Sequence, residues 1–62
     1  MIVEDQLKRR IAIGASVSVQ KIMLEFERNG FEPYSIRRAM KIMSHRGEAE
    51  FKNQRKTFRR LR

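Results

Sequence analysis

The side chains best suited to binding a ligand are cations gathered in the second half of the chain. Residues 32–62 carry ten Lys/Arg and three Asp/Glu, whereas residues 1–31 carry five Lys/Arg and four Asp/Glu. From Lys52 onward there are six Lys/Arg and no acid. Positive charge concentrated in this way attracts polyanions, either nucleic acid or acidic protein surfaces. The second half is therefore predicted to face the partner.

Seven of these cations form the predicted binding surface: three on the side of a predicted helix opposite its apolar stripe, and four on the hairpin that follows. They are Arg37, Arg38, Lys41, Lys52, Arg55, Lys56 and Arg59. Because these groups bind phosphates and carboxylates alike, the residues leave open whether the partner is duplex DNA or protein. The helix carries no Asn or Gln, so any DNA binding is expected to be directed largely at the backbone.

Catalysis and metal binding are not expected. Glu48 and Glu50 fall on one face of a strand, without a pocket or a nucleophile to give them acid–base work. His45 has no Cys, Asp or second His nearby that would complete a metal site. The chain has no cysteine, which excludes a disulfide framework and fits an intracellular protein. Its three glycines are too far apart for a phosphate-binding loop, so this chain is expected to bind no ATP and to need no cofactor.

Membrane and targeting signals are also lacking. The longest apolar run is three residues, whereas roughly 20 are needed to span a bilayer. The first residues are amphipathic and acidic, unlike a signal peptide. A chain of 62 residues makes one small domain, which buries only about 60% of the surface of its unfolded form. We expect a monomeric domain taken from a longer protein, with no membrane partner.

Apolar residues at helical spacing predict three helices, over residues 2–13, 19–29 and 33–46. Ser18 is predicted to cap the second helix, Pro33 to begin the third and Gly47 to end it. The three apolar stripes consist of Val3, Leu7 and Ile11, of Val19, Ile22, Met23 and Phe26, and of Ile36, Ala39, Met40 and Met43.

A short strand at residues 15–17 and a C-terminal hairpin complete the predicted elements. The hairpin strands are expected at residues 48–52 and 57–61, joined by a polar tetrapeptide. The resulting order is helix, short strand, helix, helix, hairpin. This order predicts a small α+β fold of the winged helix-turn-helix type, with the third helix in the recognition position.

The sequence leaves two structural alternatives open. In the last strand, a period of two puts Phe58 with Arg60 on one face and Leu61 on the other, so either face is a candidate for burial. The second alternative concerns the partner surface. Leu24 and Ile42 lie beside the apolar stripes and are predicted to form an apolar flank that could dock on a protein instead of DNA.

Several short sequences, in order and with matching gaps, resemble the extreme C-terminus of a minichromosome maintenance (MCM) replicative helicase subunit. The resemblance covers nearly the whole chain and is closest to the fifth of the six eukaryotic subunits. The matching residues are Gln6-Leu7-Lys8-Arg9-Arg10-Ile11-Ala12-Ile13-Gly14, Val17-Ser18, Arg46-Gly47-Glu48 and Gln54-Arg55-Lys56.

The resemblance implies that the parent protein is a nuclear, ring-shaped hexameric ATPase that uses ATP and magnesium to unwind DNA. This chain would be its non-catalytic C-terminal winged helix. The expected role is in helicase loading and regulation at replication origins, through contacts with duplex DNA or origin-loading proteins. Other MCM subunits would be partners through the parent hexamer. The alternative is a purely protein-docking winged helix that does not bind DNA.

Overall fold

A computed structural model of the protein describes residues 2–62. It contains three helices and a three-stranded antiparallel sheet. In chain order the elements are α1 (Ile2–Arg10), β1 (Ser16–Ser18), α2 (Val19–Arg28), α3 (Pro33–His45), β2 (Ala49–Lys52) and β3 (Thr57–Arg60). The predicted α+β class and element order are found, and the arrangement is consistent with a winged helix.

The ends of the elements differ from the prediction, most of all for α1, which ends at Arg10 rather than at residue 13. Arg60 explains the early end, because its Nη1 donates to the carbonyl oxygens of Lys8 and Ile11 at 2.7 and 3.0 Å. Ile11 stays buried, so apolar periodicity alone could not show that the helix had ended. The short strand lies one residue later than predicted, at Ser16–Ser18. The other helices end one residue earlier, and each hairpin strand is one residue shorter.

β3 is the central strand of the sheet, in the order β1-β3-β2. Val17 on β1 and Phe51 on β2 both lie opposite Phe58. These three side chains form the apolar face of the sheet, and Phe58 is completely buried. The buried face of the last strand is therefore the one with Phe58 and Arg60, whereas Leu61 is exposed.

A single apolar core lies between the three helices and this face of the sheet. Each predicted helical stripe contributes to it, with Val3 and Val19 only partly buried. None of the helices in residues 2–62 has both the length and the apolar character needed to cross a membrane. The buried apolar residues are Leu7, Ile11, Ile22, Met23, Phe26, Ile36, Ala39, Met40, Met43, Ala49 and Phe58.

The turn that ends α3 directs the chain into the hairpin. The N–H of Gly47 donates to Ser44 O and that of Glu48 to Met43 O, which satisfies two of the carbonyls left free at the helix end. Gly47 has a φ of +73°, and a Cβ there would lie 2.8 Å from Arg62 Nη2. The backbone conformation favours glycine, whereas the Arg62 side chain could move aside for a Cβ.

Candidate nucleic-acid interface

The solvent side of α3 displays cations because its other side is held in the core. Pro33 begins the helix, and its fixed φ suits the first turn. Arg37, Arg38 and Lys41 are all exposed. Tyr34 is also exposed, to 69%, so it does not pack on a neighbouring helix. The helix thus presents three cations and an aromatic ring to solvent.

The turn between β2 and β3, residues 53–56, has an unusual backbone and is called the wing turn below. Asn53, Gln54 and Arg55 have φ values of +51°, +57° and +68°. The left-handed conformation costs a non-glycine residue about 1–2 kcal/mol, and asparagine tolerates it best. The wing turn therefore contains conformational strain that local contacts must offset.

Hydrogen bonds hold the wing turn in place. The N–H of Lys56 donates to Asn53 O at 3.1 Å, and Asn53 Nδ2 donates to Thr57 Oγ1 at 3.1 Å. A third bond, from the N–H of Val19 to Lys56 O at 2.9 Å, joins the turn to the first residue of α2. The wing turn is thereby fixed against the start of α2.

Arg55 points back from the wing turn to the apolar side of the hairpin. Its guanidinium carbon lies 5.7 Å from the centre of the Phe51 ring, within the range of a cation–π contact. A guanidinium that covers an aromatic face keeps its N–H groups available at the edges. Arg55 thus lies over Phe51 with its donors available.

A groove separates the wing turn from α2 and α3. It consists of two adjoining depressions that share Val19, Arg37 and Arg55 as lining residues. Four of the seven predicted cations line it, and they are Arg37, Lys41, Arg55 and Lys56. Its apolar lining comes from Val19, Met23, Leu24, Met40 and Phe51.

The other three predicted cations lie elsewhere. Arg38 is on α3 but does not line the groove. Lys52 and Arg59 lie on the face of the sheet opposite the core, and both approach Glu50 Oε2 at 3.8 Å. None of the carboxylates in residues 2–62 forms an ion pair with the four cations of the groove or with Arg38. The structure therefore divides the predicted set into five unpaired cations and two that are paired.

The apolar part of the groove differs from the apolar flank predicted from the sequence. Leu24 is 52% exposed and lines the groove beside Val19 and Met23. The predicted flank instead combined Leu24 with Ile42, which is half-buried and does not line the groove. The sequence feature that indicated exposure of Leu24 was its position outside the apolar stripe of α2.

Glu4 and Glu48 lie beside cations. Lys8 Nζ is 3.2 Å from Glu48 Oε1, without the alignment of a hydrogen bond. Glu4 is buried and accepts a hydrogen bond from Arg46 Nη1 at 3.2 Å. Within residues 2–62, no three His, Cys, Asp or Glu side chains converge as a metal site would require. Polyanion binding is the chemistry that this surface supports.

Several curated proteins are similar to the chain over most of its length. DNA replication licensing factor Mcm5 of Drosophila melanogaster is 41% identical over 59 residues, which cover 95% of this chain and 8% of that protein. The MCM5 protein of Arabidopsis thaliana is 39% identical over 87% of the chain and 7% of its own length. For mcm5-B of Xenopus laevis the identity is 38%, over 97% of the chain and 8% of that protein.

The chain thus spans less than a tenth of the length of these relatives. Residues 3–60 match a family model described as the C-terminal domain of MCM5. The match covers all six elements except the first residue of α1. The resemblance noted in the sequence is thereby confirmed, and the chain belongs to the MCM5 C-terminal domain family.

Proposed function

We propose that this chain is a winged-helix module that contacts the backbone of duplex DNA during loading or regulation of the MCM replicative helicase. The observation that carries the proposal is that four cations from α3 and the wing turn, none of them in an ion pair, line one groove, with unpaired Arg38 also exposed on α3. Relatives named as DNA replication licensing factors support the biological setting. Origin-loading proteins are the other partners that this surface would suit.

The proposed binding mode is electrostatic. α3 would lie along the DNA with Arg37, Arg38 and Lys41 near phosphates, while Arg55 and Lys56 reach the backbone from the wing turn. The exposed side of α3 offers no amide side chain to read bases, so little sequence preference is expected.

The proposal assigns no catalytic step to this chain. ATP hydrolysis, with ATP and magnesium, would belong to the motor of the parent MCM subunit. The parent would work in the nucleus within a hexamer of MCM subunits. An isolated module of this size is expected to bind DNA with micromolar or weaker affinity, because it lacks the multivalency of the ring.

A salt titration of binding to duplex DNA tests the proposal. If about four to five phosphates are engaged, the slope of log K against log salt concentration is expected to be about −3.6 to −4.5. Replacing Arg55 and Lys56 together by alanine should weaken binding to all sequences alike and make the slope about two units shallower.

The matched control removes two cations from the other face of the same hairpin. Lys52→Ala with Arg59→Ala takes away the same charge, but these side chains lie beside Glu50. The slope should then change by less than about one unit. The proposed interface is wrong if both double variants change the slope equally, and DNA binding itself is rejected if none is detectable at low salt.

Protein docking without DNA binding is the second candidate. It is favoured by one observation, the exposure of Leu24 beside Val19 and Met23 in a groove lined by cations. A pull-down with purified origin-loading proteins, read alongside the salt titration, separates the two candidates. Retention of a loader protein together with no DNA binding would favour docking.

A further inference from the structure

The groove between the wing turn, α2 and α3 contains apolar side chains as well as cations, and a phosphate backbone would bind only the cations. One depression has Val19, Met23 and Leu24 in its lining, and the other has Met40 and Phe51. Leu24 is exposed there and Val19 and Phe51 are half-buried, whereas Met23 and Met40 belong to the core. An apolar ligand group that covered Leu24 and the accessible parts of Val19 and Phe51 would remove that surface from water.

The charges around the groove require that ligand to be acidic. Arg37, Lys41, Arg55 and Lys56 line it, whereas Glu27 is its only acidic lining residue among those the structure describes. Arg37 and Arg55 border both depressions. Guanidinium groups in this position are suited to paired hydrogen bonds with carboxylates on either side of an apolar anchor.

Contacts within the domain orient Arg55 before any ligand arrives. Its guanidinium covers Phe51, and the wing turn that carries it is joined to α2 through the Val19 to Lys56 hydrogen bond. A binding group held in this way loses less conformational freedom when it engages a ligand. The strained backbone of residues 53–55 is consistent with a conformation kept for binding.

We propose that the groove binds a short acidic segment of a partner protein, in which one bulky apolar side chain lies between carboxylates. The apolar side chain would contact Leu24, Val19 and Met23, and the carboxylates would contact Arg37 and Arg55. This inference rests on the docking candidate above and specifies the chemistry of its ligand.

Substitutions at two residues distinguish binding of this ligand from binding of DNA. Leu24 is exposed in the groove and carries no charge, so Leu24→Ser removes an apolar contact without altering the electrostatic attraction for DNA. Arg38 is exposed on α3 outside the groove, so Arg38→Ala affects the proposed DNA surface alone. Both positions are on the surface, and neither change should prevent folding.

The experiment selects phage-displayed random peptides of about 12 residues, long enough to present an anchor with flanking acids, against the 62-residue chain. Selected peptides are synthesised, and their affinities are measured for the unchanged chain and for Leu24→Ser, Arg55→Ala and Arg38→Ala. Duplex DNA is titrated against the same four proteins. NMR spectra of each variant check that the fold is retained.

The expected outcome is enrichment of peptides with Asp or Glu on both sides of a Leu, Ile, Met or Phe. Leu24→Ser and Arg55→Ala should each weaken peptide binding about tenfold, and Arg38→Ala by less than about twofold. DNA affinity should fall with Arg38→Ala and stay unchanged with Leu24→Ser. Absence of enrichment, acidic peptides without an apolar preference, or insensitivity to Leu24→Ser would each overturn the inference, while the DNA titration reports separately on the DNA proposal.

Discussion

Arg59 and Arg60 are neighbours on β3 whose side chains serve different purposes, because successive side chains of a strand point to opposite faces. Arg59 lies on the polar face, 3.8 Å from Glu50 Oε2. Arg60 lies on the core side, where Nη1 binds two carbonyls at the end of α1 and Nε binds Arg62 O. One arginine is available to solvent, and the other terminates a helix.

Replacing Arg60 by methionine should therefore destabilise the domain substantially. The change leaves the carbonyls of Lys8 and Ile11 without their charged donor, at a cost of about 2–3 kcal/mol. Arg59→Met removes the same charge from the adjacent residue, but its exposed ion pair is worth only about 0–1 kcal/mol. Urea unfolding of both variants measures the difference, and equal losses of stability would contradict the role assigned to Arg60.

For individual residues, the sequence predicted which side chains are buried on the helices better than it predicted which residues they contact. It predicted correctly that residues such as Leu7 and Met40 belong to apolar stripes, because burial on a helix follows a short periodic pattern. It could not decide between Phe58 and Leu61 in the last strand. That choice depends on strand pairing with Val17, which lies far away in the chain.

Among the elements, the wing turn differs most from what its sequence suggests. A polar tetrapeptide between two strands predicted a hairpin, and β2 and β3 do form one. The tetrapeptide contains no glycine, although three of its residues adopt the left-handed conformation that glycine favours. The contacts to Val19, Thr57 and Phe51 that accompany this conformation come from outside the turn, so they could not be inferred locally.

Gln54→Gly tests whether the wing turn is strained. The change should relieve about 1–2 kcal/mol of left-handed strain and add about 0.5–1 kcal/mol of unfolded-chain entropy, leaving the domain slightly more stable. The control is Gln6→Gly within α1, which should lower stability by about 1 kcal/mol. Thermal unfolding, monitored by circular dichroism, gives the direction of the stability change for each variant. Two similar decreases in the midpoint would show that the turn carries no strain at Gln54.

Part of the candidate site could be predicted from the sequence. The cationic side of α3 follows from the helical period, which places Arg37, Arg38 and Lys41 away from the core stripe. The separation of Lys52 from Arg55 does not follow from the sequence. It results from the pairing of Lys52 with Glu50 on one face of the hairpin and the contact of Arg55 with Phe51 on the other.

For the molecule as a whole, the hairpin is expected to be essential for stability. It contributes Ala49 and Phe58 to the core, and Phe51 packs against that core. A chain of residues 1–46 would leave the apolar sides of three helices uncovered, and a domain of this size has little stability to spare. No cooperative thermal transition is expected from that shortened chain.

The control for this truncation keeps the whole hairpin. A chain of residues 1–60 retains Phe58 and loses the bonds from Arg62 to Gly47 O and Arg46 O. It should still unfold cooperatively, with a lower midpoint than residues 1–62. A cooperative transition of residues 1–46 near that of the longer chains would show that the three helices form a core without the sheet.

The position of β3 at the centre of the sheet also has a consequence for the rate of folding. β3 pairs with β2 across a short turn, but it pairs with β1 only after most of the chain has been brought into a loop. Closing a loop costs entropy before its contacts contribute any stability, so domains with such distant pairings fold slowly for their size. We therefore expect this domain to fold more slowly than a three-helix bundle of equal length, with the docking of β1 on β3 among the last contacts to form.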